Sequence, residues 1–142
     1  MVAQALVSAA LAELGARYGG EGDETPVSPT DFEAPDGAFL VAYLCDEAVG
    51  CGGWRSHGSD RAVAELKRMY TAPAARSRGV ARQLLAALEH SARGCGRSRM
   101  ILECGTRQPE AIKLYQAHGY QPIEHFGFYR DAPDVISLGR DL

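Results

Sequence analysis

The pattern that most constrains the fold is an alternation of strand-like and helix-like periods in the second half of the chain. Residues 62–70 alternate as a strand does, and residues 79–93 repeat apolar side chains at helical spacing. A second strand at 100–104 and a second helix at 109–118 repeat the unit. A helix that joins two neighbouring parallel strands makes a right-handed crossover. The pattern therefore predicts a sheet that is at least partly parallel.

The rest of the chain supplies further strands and one more helix. The remaining predicted elements are a helix at 2–18, a Gly-, Pro- and acid-rich loop at 19–37, antiparallel strands at 38–45 and 49–55, and closing strands at 119–126 and 135–141. The order αβββαβαββ indicates an α/β fold with a mixed, partly parallel central sheet flanked by helices. At 142 residues, the chain is expected to form a single domain over 1–142.

Composition excludes several classes of protein. No stretch approaches 18 consecutive apolar residues, so no membrane span is expected, and residues 1–6 lack the features of a signal peptide. The four cysteines, Cys45, Cys51, Cys95 and Cys104, form no Cys-x-x-Cys pair. We therefore expect no metal, no disulfide and a cytoplasmic location. A pI near 5.8 argues against nucleic acid as a partner.

Charge is distributed unevenly along the chain. Residues 1–60 hold ten acidic residues and two basic ones, whereas residues 61–142 hold thirteen basic and eight acidic ones. This asymmetry suggests an anionic partner for the second half and a cationic partner for the first. Scattered, solvated charges are the alternative.

The turn before the second predicted helix has the features of an anion-binding site. Arg76-Ser77-Arg78-Gly79-Val80-Ala81 joins the strand at 62–70 to the helix at 79–93. A helix start exposes backbone N–H groups at the positive end of the helix dipole, and small residues let a ligand approach them. Arg76, Arg78 and Arg82 add positive charge, so a phosphate or pyrophosphate is the expected ligand. The alternative is an ordinary helix start with solvated arginines.

Two segments resemble motifs of the GNAT superfamily of N-acetyltransferases. The stretch from Ala64 to Pro73, followed by Arg76-x-x-Gly79-x-Ala81, resembles its motif A. The stretch Gln108-Pro109-Glu110-Ala111-Ile112-x-Leu114-Tyr115-x-x-x-Gly119-Tyr120 resembles its motif B. The sequence departs from the usual pattern at Ala81 for glycine, Gln108 for asparagine and Tyr120 for phenylalanine. The resemblance implies a GNAT-like acyl-CoA N-acyltransferase fold.

The resemblance also implies where acetyl-CoA would bind. Its pyrophosphate would lie on the backbone amides of residues 78–81, and its pantetheine arm would pair like an extra strand with the backbone of residues 69–71. The cofactor-binding residues expected on this basis are Met69, Tyr70, Thr71, Arg76, Ser77, Arg78, Gly79, Val80, Ala81, Arg82 and Gln108.

Acetyl transfer to an amine requires a base for the amine and an acid for the departing thiolate. The resemblance places the Tyr115 hydroxyl at the sulfur of CoA as that acid; a core tyrosine is the alternative. Glu65 is the expected base, since relatives that acetylate histones carry their catalytic glutamate at this position. By strand alternation Glu65 shares a face with Lys67 and Met69, and pairing with Lys67 or an arginine is its alternative role. Glu103, or a water chain, could replace it as the base.

These expectations combine into one function. The chain is expected to move the acetyl group of acetyl-CoA to a primary amine by direct transfer in a ternary complex. A cationic acceptor is favoured because the acidic segment at residues 20–36 should border the acceptor side. The acceptor would be a small molecule or a peptide, and the enzyme could work as a homodimer. A catalytically idle CoA-binding sensor or interaction module is the alternative.

Overall fold

The computed structural model describes residues 2–18 and 26–142. The helices and strands in those ranges follow the order predicted above: α1 (Val2–Tyr18), β1 (Gly37–Leu44), β2 (Glu47–His57), β3 (Asp60–Thr71), α2 (Val80–Gly94), β4 (Arg99–Gly105), α3 (Pro109–Ala117), β5 (Gln121–Pro122) and β6 (Val135–Asp141). Short 3-10 turns lie at Pro29–Phe32 and Pro73–Ala75.

The strands form one mixed sheet in the order β1-β2-β3-β4-β6-β5. Strands β3 and β4 are parallel and are joined through α2, whereas the other neighbouring strands are antiparallel. The predicted mixed, partly parallel sheet flanked by helices is therefore confirmed. Among the described residues, no helix is both long enough and apolar enough to cross a membrane.

Strands β3 and β4 pair over a short distance and then separate. Their registered pairs are Val63 with Arg99, Ala64 with Met100 and Glu65 with Ile101. Beyond these pairs, β3 continues to Thr71 and β4 continues to Gly105 without pairing with each other. The sheet therefore opens into a gap at the carboxyl ends of its two parallel strands.

A bulge in β3 changes which side chains face this gap. Arg68 has a φ of +61°, and the register with β2 shifts there, so that Cys51 opposes Tyr70 while Gly53 opposes Lys67. The extra residue turns Met69 toward the face covered by α2, where its Sδ fills the space that a side chain at Gly52 would need. The predicted face sharing of Met69 with Glu65 and Lys67 is therefore wrong, because a bulge inverts the alternation of a strand.

The core holds α2 and α3 against the same face of the sheet. Its largest fully buried side chains are Trp54, Leu85, Leu88, Met100, Leu102 and Leu138. The apolar stripe predicted for the second helix accounts for α2, since Leu84, Leu85, Leu88 and Ala92 are all buried. Burying this stripe fixes the start of α2 beside the open end of β3.

Two segments differ from their predicted form. The closing strand predicted at 119–126 is reduced to β5, because Gly119 ends α3 with a φ of +85° and Pro122 has no N–H to donate. Part of the predicted loop at 19–37 is a 3-10 turn, which begins at Pro29 and has the Ser28 amide bonded to the Asp31 carboxylate at 2.9 Å. Residues 19–25 of that loop lie outside the described residues.

Candidate active site

The gap between β3 and β4 is the entrance to a large cleft. The cleft has a volume of about 970 Å³, and its two walls come from different parts of the sheet. One wall consists of β3 from Leu66 to Thr71 and the start of α2; the other consists of β4 from Leu102 to Gly105, the start of α3 and residues 129–135. Helix α1 adds Ala10, Leu11, Glu13 and Leu14. A cleft of this size suits a molecule of cofactor dimensions.

The start of α2 forms the anion-binding end of the cleft. Gly79 caps the helix with a φ of +79°, and Ser77 also has a left-handed φ, of +64°. No acidic residue lies in the first turn of α2. The first backbone N–H groups of a helix have no partners within the helix, so they can donate to an anion that lies across the turn.

The arginines near this turn occupy different positions. All three are exposed; Arg76 and Arg82 line the cleft, whereas Arg78 lies outside the lining. Arg76 donates through Nε to the Thr71 carbonyl at 3.1 Å and pairs with the Glu13 carboxylate. Its guanidinium also lies 6.0 Å from the centre of the Tyr70 ring. The Arg76 charge is thus held at the mouth of the cleft by β3 and α1.

The other predicted cofactor residues lie along one continuous path. Met69, Tyr70 and Thr71 line the cleft on the part of β3 that does not pair with β4, next to the bulge, and Ser77, Gly79, Val80 and Ala81 follow at the turn. Gln108 faces them from the start of α3. Of the residues predicted to bind the cofactor, the structure therefore brings all but Arg78 to the cleft.

Tyr115 lies in the wall of the cleft opposite β3. It is 6% exposed and lines the cleft together with Cys104. Burial, with a smaller contribution from Cys104, raises the pKa of Tyr115 above its ordinary value. A tyrosine is protonated at neutral pH even at its ordinary pKa, so the shift leaves Tyr115 with a proton to donate but makes it a weaker acid.

Glu65 is buried outside the cleft lining. It is 4% exposed, and its Oε1 accepts a hydrogen bond from Arg55 Nε at 3.2 Å and lies 4.0 Å from His57 Nδ1. Arg55 in turn pairs with Asp31 at 3.2 Å. The structure thus shows Glu65 in the arginine pairing that the sequence left open as its alternative role.

Glu103 lies in the cleft on β4. The loop after β5 packs against it so closely that a side chain at Gly127 would collide with the Glu103 carboxylate. Of the two glutamates considered as the base, Glu103 is the one that the fold brings into the same cleft as Tyr115.

Sequence reasoning missed the residues that α1 contributes. Glu13 reaches Arg76 from 63 positions away in the chain, and no local pattern in α1 indicates that contact. Lys67 was noted only as a neighbour of Glu65, yet it lines the cleft and is largely buried. Among the described residues, no three His, Cys, Asp or Glu side chains are grouped to hold a metal ion.

Comparison with known proteins gives one consistent result. The model of the Acetyltransferase (GNAT) family matches residues 4–120. The IAA acetyltransferase of Azospirillum brasilense is 38% identical over 104 residues, which cover 73% of this chain and 66% of that protein. The aligned segment therefore spans just under two thirds of that relative.

Solved structures agree with the fold. A Klebsiella pneumoniae protein, whose assignment as an acyl-CoA N-acyltransferase is itself provisional, superposes with a TM-score of 0.80 and 31% identity over 99% of this chain and 90% of that one. A GNAT family acetyltransferase from Elizabethkingia anophelis, solved with acetyl-CoA bound, gives a TM-score of 0.64 and 21% identity over 75% of this chain and 77% of that one.

Proposed function

The chain belongs to the GNAT family of acetyltransferases, and from that premise we propose that it transfers the acetyl group of acetyl-CoA directly to a primary amine. The observation that carries the proposal is the continuity of the cleft. The lining runs from a helix start without acidic residues, along the edge of β3 that does not pair with β4, to Tyr115.

Acetyl-CoA fits the two ends of this path. Its pyrophosphate matches the amides at the start of α2 and the charges of Arg76 and Arg82. Its pantetheine arm carries amide groups, which match the backbone of β3 beyond Glu65 along the side where β3 no longer pairs with β4. The bound acetyl-CoA of the Elizabethkingia anophelis relative supports this assignment.

Transfer requires three groups around the thioester. The nitrogen lone pair attacks the carbonyl carbon, and a backbone N–H at the bulge near Met69 stabilises the oxyanion. The carbon–sulfur bond then breaks, and Tyr115 gives its proton to the departing thiolate. The proton lost by the amine passes to a base, and Tyr115 regains a proton from solvent before the next turnover.

Glu103 is the better placed base. It lines the cleft that holds Tyr115, with its carboxylate oxygens buried against the loop at Gly127, whereas Glu65 is paired with Arg55 outside the lining. Glu65 stays a prediction, to be tested beside Glu103. Direct transfer is favoured over an acyl-cysteine intermediate because burial raises the pKa of Cys104 to about 11, which leaves too little thiolate to attack a thioester.

A positively charged acceptor is supported by the separation of charges across the cleft. The β3 and α2 wall carries Lys67, Arg68, Arg76 and Arg82, whereas the wall of β4, α3 and the loop before β6 carries Glu103, Glu110 and Asp134. An anionic cofactor fits the first wall and a cationic amine fits the second.

The cysteines are all free thiols, which supports the expected cytoplasmic setting.

The test is a thiol-release assay with acetyl-CoA and matched panels of acceptors. Polyamines and lysine-containing peptides should be acetylated faster than neutral or acidic amines, and their kcat/KM should fall as salt rises. Release that occurs only with acidic amines would contradict the cationic acceptor. Binding of CoA by calorimetry, without acetylation of any amine, would favour the idle CoA-binding module instead.

A further inference from the structure

A buried polar network lies behind Tyr115. The Tyr120 hydroxyl donates to Glu89 Oε2 at 2.8 Å, and Arg140 Nη1 donates to both Glu89 oxygens at 3.0 Å. Tyr120 is 2% exposed and Glu89 is 4% exposed. The network therefore joins α2 and the residue before β5 in the core to β6, whose Arg140 side chain is 33% exposed.

Tyr120 also contacts Tyr115 in two ways. The ring centroids are 5.7 Å apart with the planes at 62°, which is an edge-to-face arrangement. The Tyr120 amide donates to the Tyr115 carbonyl at 3.0 Å, just past the end of α3. The backbone and the ring of Tyr115 are thus both held by Tyr120.

The hydroxyl of Tyr120 is not needed to fill the space beside the Tyr115 ring. A phenylalanine ring would occupy nearly the same volume and would not require a charged partner in the core. A buried carboxylate is costly unless it is paired and hydrogen-bonded. The network therefore calls for a role beyond packing, and fixing the orientation of the Tyr120 ring is the one that its geometry offers.

We propose that Tyr120, anchored by Glu89 and Arg140, is a positioning residue that holds the Tyr115 ring in the orientation from which its hydroxyl reaches the leaving thiolate. Because Glu89 belongs to α2, the same network fixes Tyr115 relative to the helix whose start binds the pyrophosphate. This inference rests on the proposed function, in which Tyr115 is the acid.

The test is a double-mutant cycle on turnover. Tyr115→Phe should lower kcat by about 10²-fold or more, which is typical for loss of a general acid. Tyr120→Phe should lower kcat by about tenfold through misplacement of the acid, with the KM for acetyl-CoA unchanged. In the Tyr115→Phe background, Tyr120→Phe should have no further effect on kcat, since there is no acid left to position.

Ser91→Ala is the matched control. It removes the acceptor of the hydrogen bond that Trp54 Nε1 donates to Ser91 Oγ of α2, 3.0 Å long, in the same core but away from Tyr115. All variants are assayed well below their melting temperatures, and Glu89→Gln serves as a second route to loosening the anchor. Ser91→Ala should lower the melting temperature and leave kcat unchanged.

The outcomes separate the inference from the function on which it rests. If Tyr115→Phe leaves kcat intact, the proposed acid is wrong. If Tyr115→Phe lowers kcat but Tyr120→Phe costs the same factor in both backgrounds, Tyr120 acts independently of Tyr115 and the positioning role is refuted. A kcat that is unchanged in both Tyr120→Phe and Glu89→Gln would also refute it.

Discussion

Glu65 and Glu103 stand on neighbouring strands, and they differ in their surroundings. Glu65 was the expected base because relatives that acetylate histones carry their catalytic glutamate at this position. The sequence could not show that Arg55, ten residues earlier, lies opposite Glu65 across the β2–β3 register and reaches its carboxylate. Nor could it show that Glu103 faces the cleft, because that depends on where β3 and β4 separate.

This difference predicts unequal effects of the two charge-removing substitutions. Glu103→Gln should lower kcat/KM by about 10²-fold and remove the acidic limb of the pH–rate profile, because a base is lost. Glu65→Gln should leave that limb in place and lower the unfolding free energy, because Arg55 loses a charged partner. Steady-state rates from pH 5 to 9 and urea unfolding measure the two effects.

The reverse pattern, with the acidic limb lost only in Glu65→Gln, would restore Glu65 as the base. An acidic limb that survives in both variants would indicate that water, rather than either glutamate, takes the proton that the amine loses.

At the scale of the elements, local signals predicted most of what the structure contains. The helix stripe and Gly79 predicted α2 and its start, and Pro109 with Gly119 predicted the two ends of α3. The bulge at Arg68 had no such signal, since arginine does not favour a positive φ and the register with β2 imposes it. The short length of β5 also could not be predicted from the sequence, because the ends of this strand depend on its pairing with β6.

The start of α2 gives the sharpest test of an element. Gly79→Glu should weaken CoA binding by at least about tenfold, or ~1.4 kcal/mol, since it puts a carboxylate where we propose that the pyrophosphate binds. Calorimetry with CoA measures this loss. Gly96→Glu is the matched control, because Gly96 also has a positive φ, of +83°, and has open space around it, yet it lies beyond the other end of α2.

Both variants carry the same backbone strain and the same added charge. Equal loss of CoA affinity in the two would mean that strain or net charge, rather than the site, is responsible. Unchanged CoA affinity in a folded Gly79→Glu variant would show that the pyrophosphate does not bind at this turn.

At the scale of the whole molecule, the thiols of buried Cys51 and partly buried Cys104 link stability to alkaline pH. Burial raises the pKa values of Cys51 and Cys104 from 9.0 to about 11. The folded chain therefore keeps protons that the unfolded chain releases, and stability is lost as pH rises from 9 toward 11. Between pH 9 and 10 these two protons should lower the unfolding free energy by roughly 2.7 kcal/mol per pH unit, and the fall should steepen above pH 10 because burial raises the pKa values of Tyr115 and Tyr120 as well.

Urea unfolding at pH 8, 9, 10 and 11 measures this slope. Cys51→Ala should remove the contribution of about one proton from this slope. It should also shift the unfolding free energy by an amount that is the same at every pH. A slope that is the same in both proteins would show that Cys51 does not contribute to it.

The short pairing of β3 with β4 has a consequence for how the empty and loaded protein exchange their amide hydrogens. Without a ligand, three registered pairs join β1–β3 to β4–β6, and the inner edge of β3 from Met69 to Thr71 faces solvent as an outer strand does. When an extended ligand fills the gap, β3 has a neighbour on both sides there, and its amides are covered like those of a central strand. The deuterium uptake of these amides should then slow to that of the Ala64 amide. The two halves of the sheet, β1–β3 and β4–β6, should then open together rather than separately.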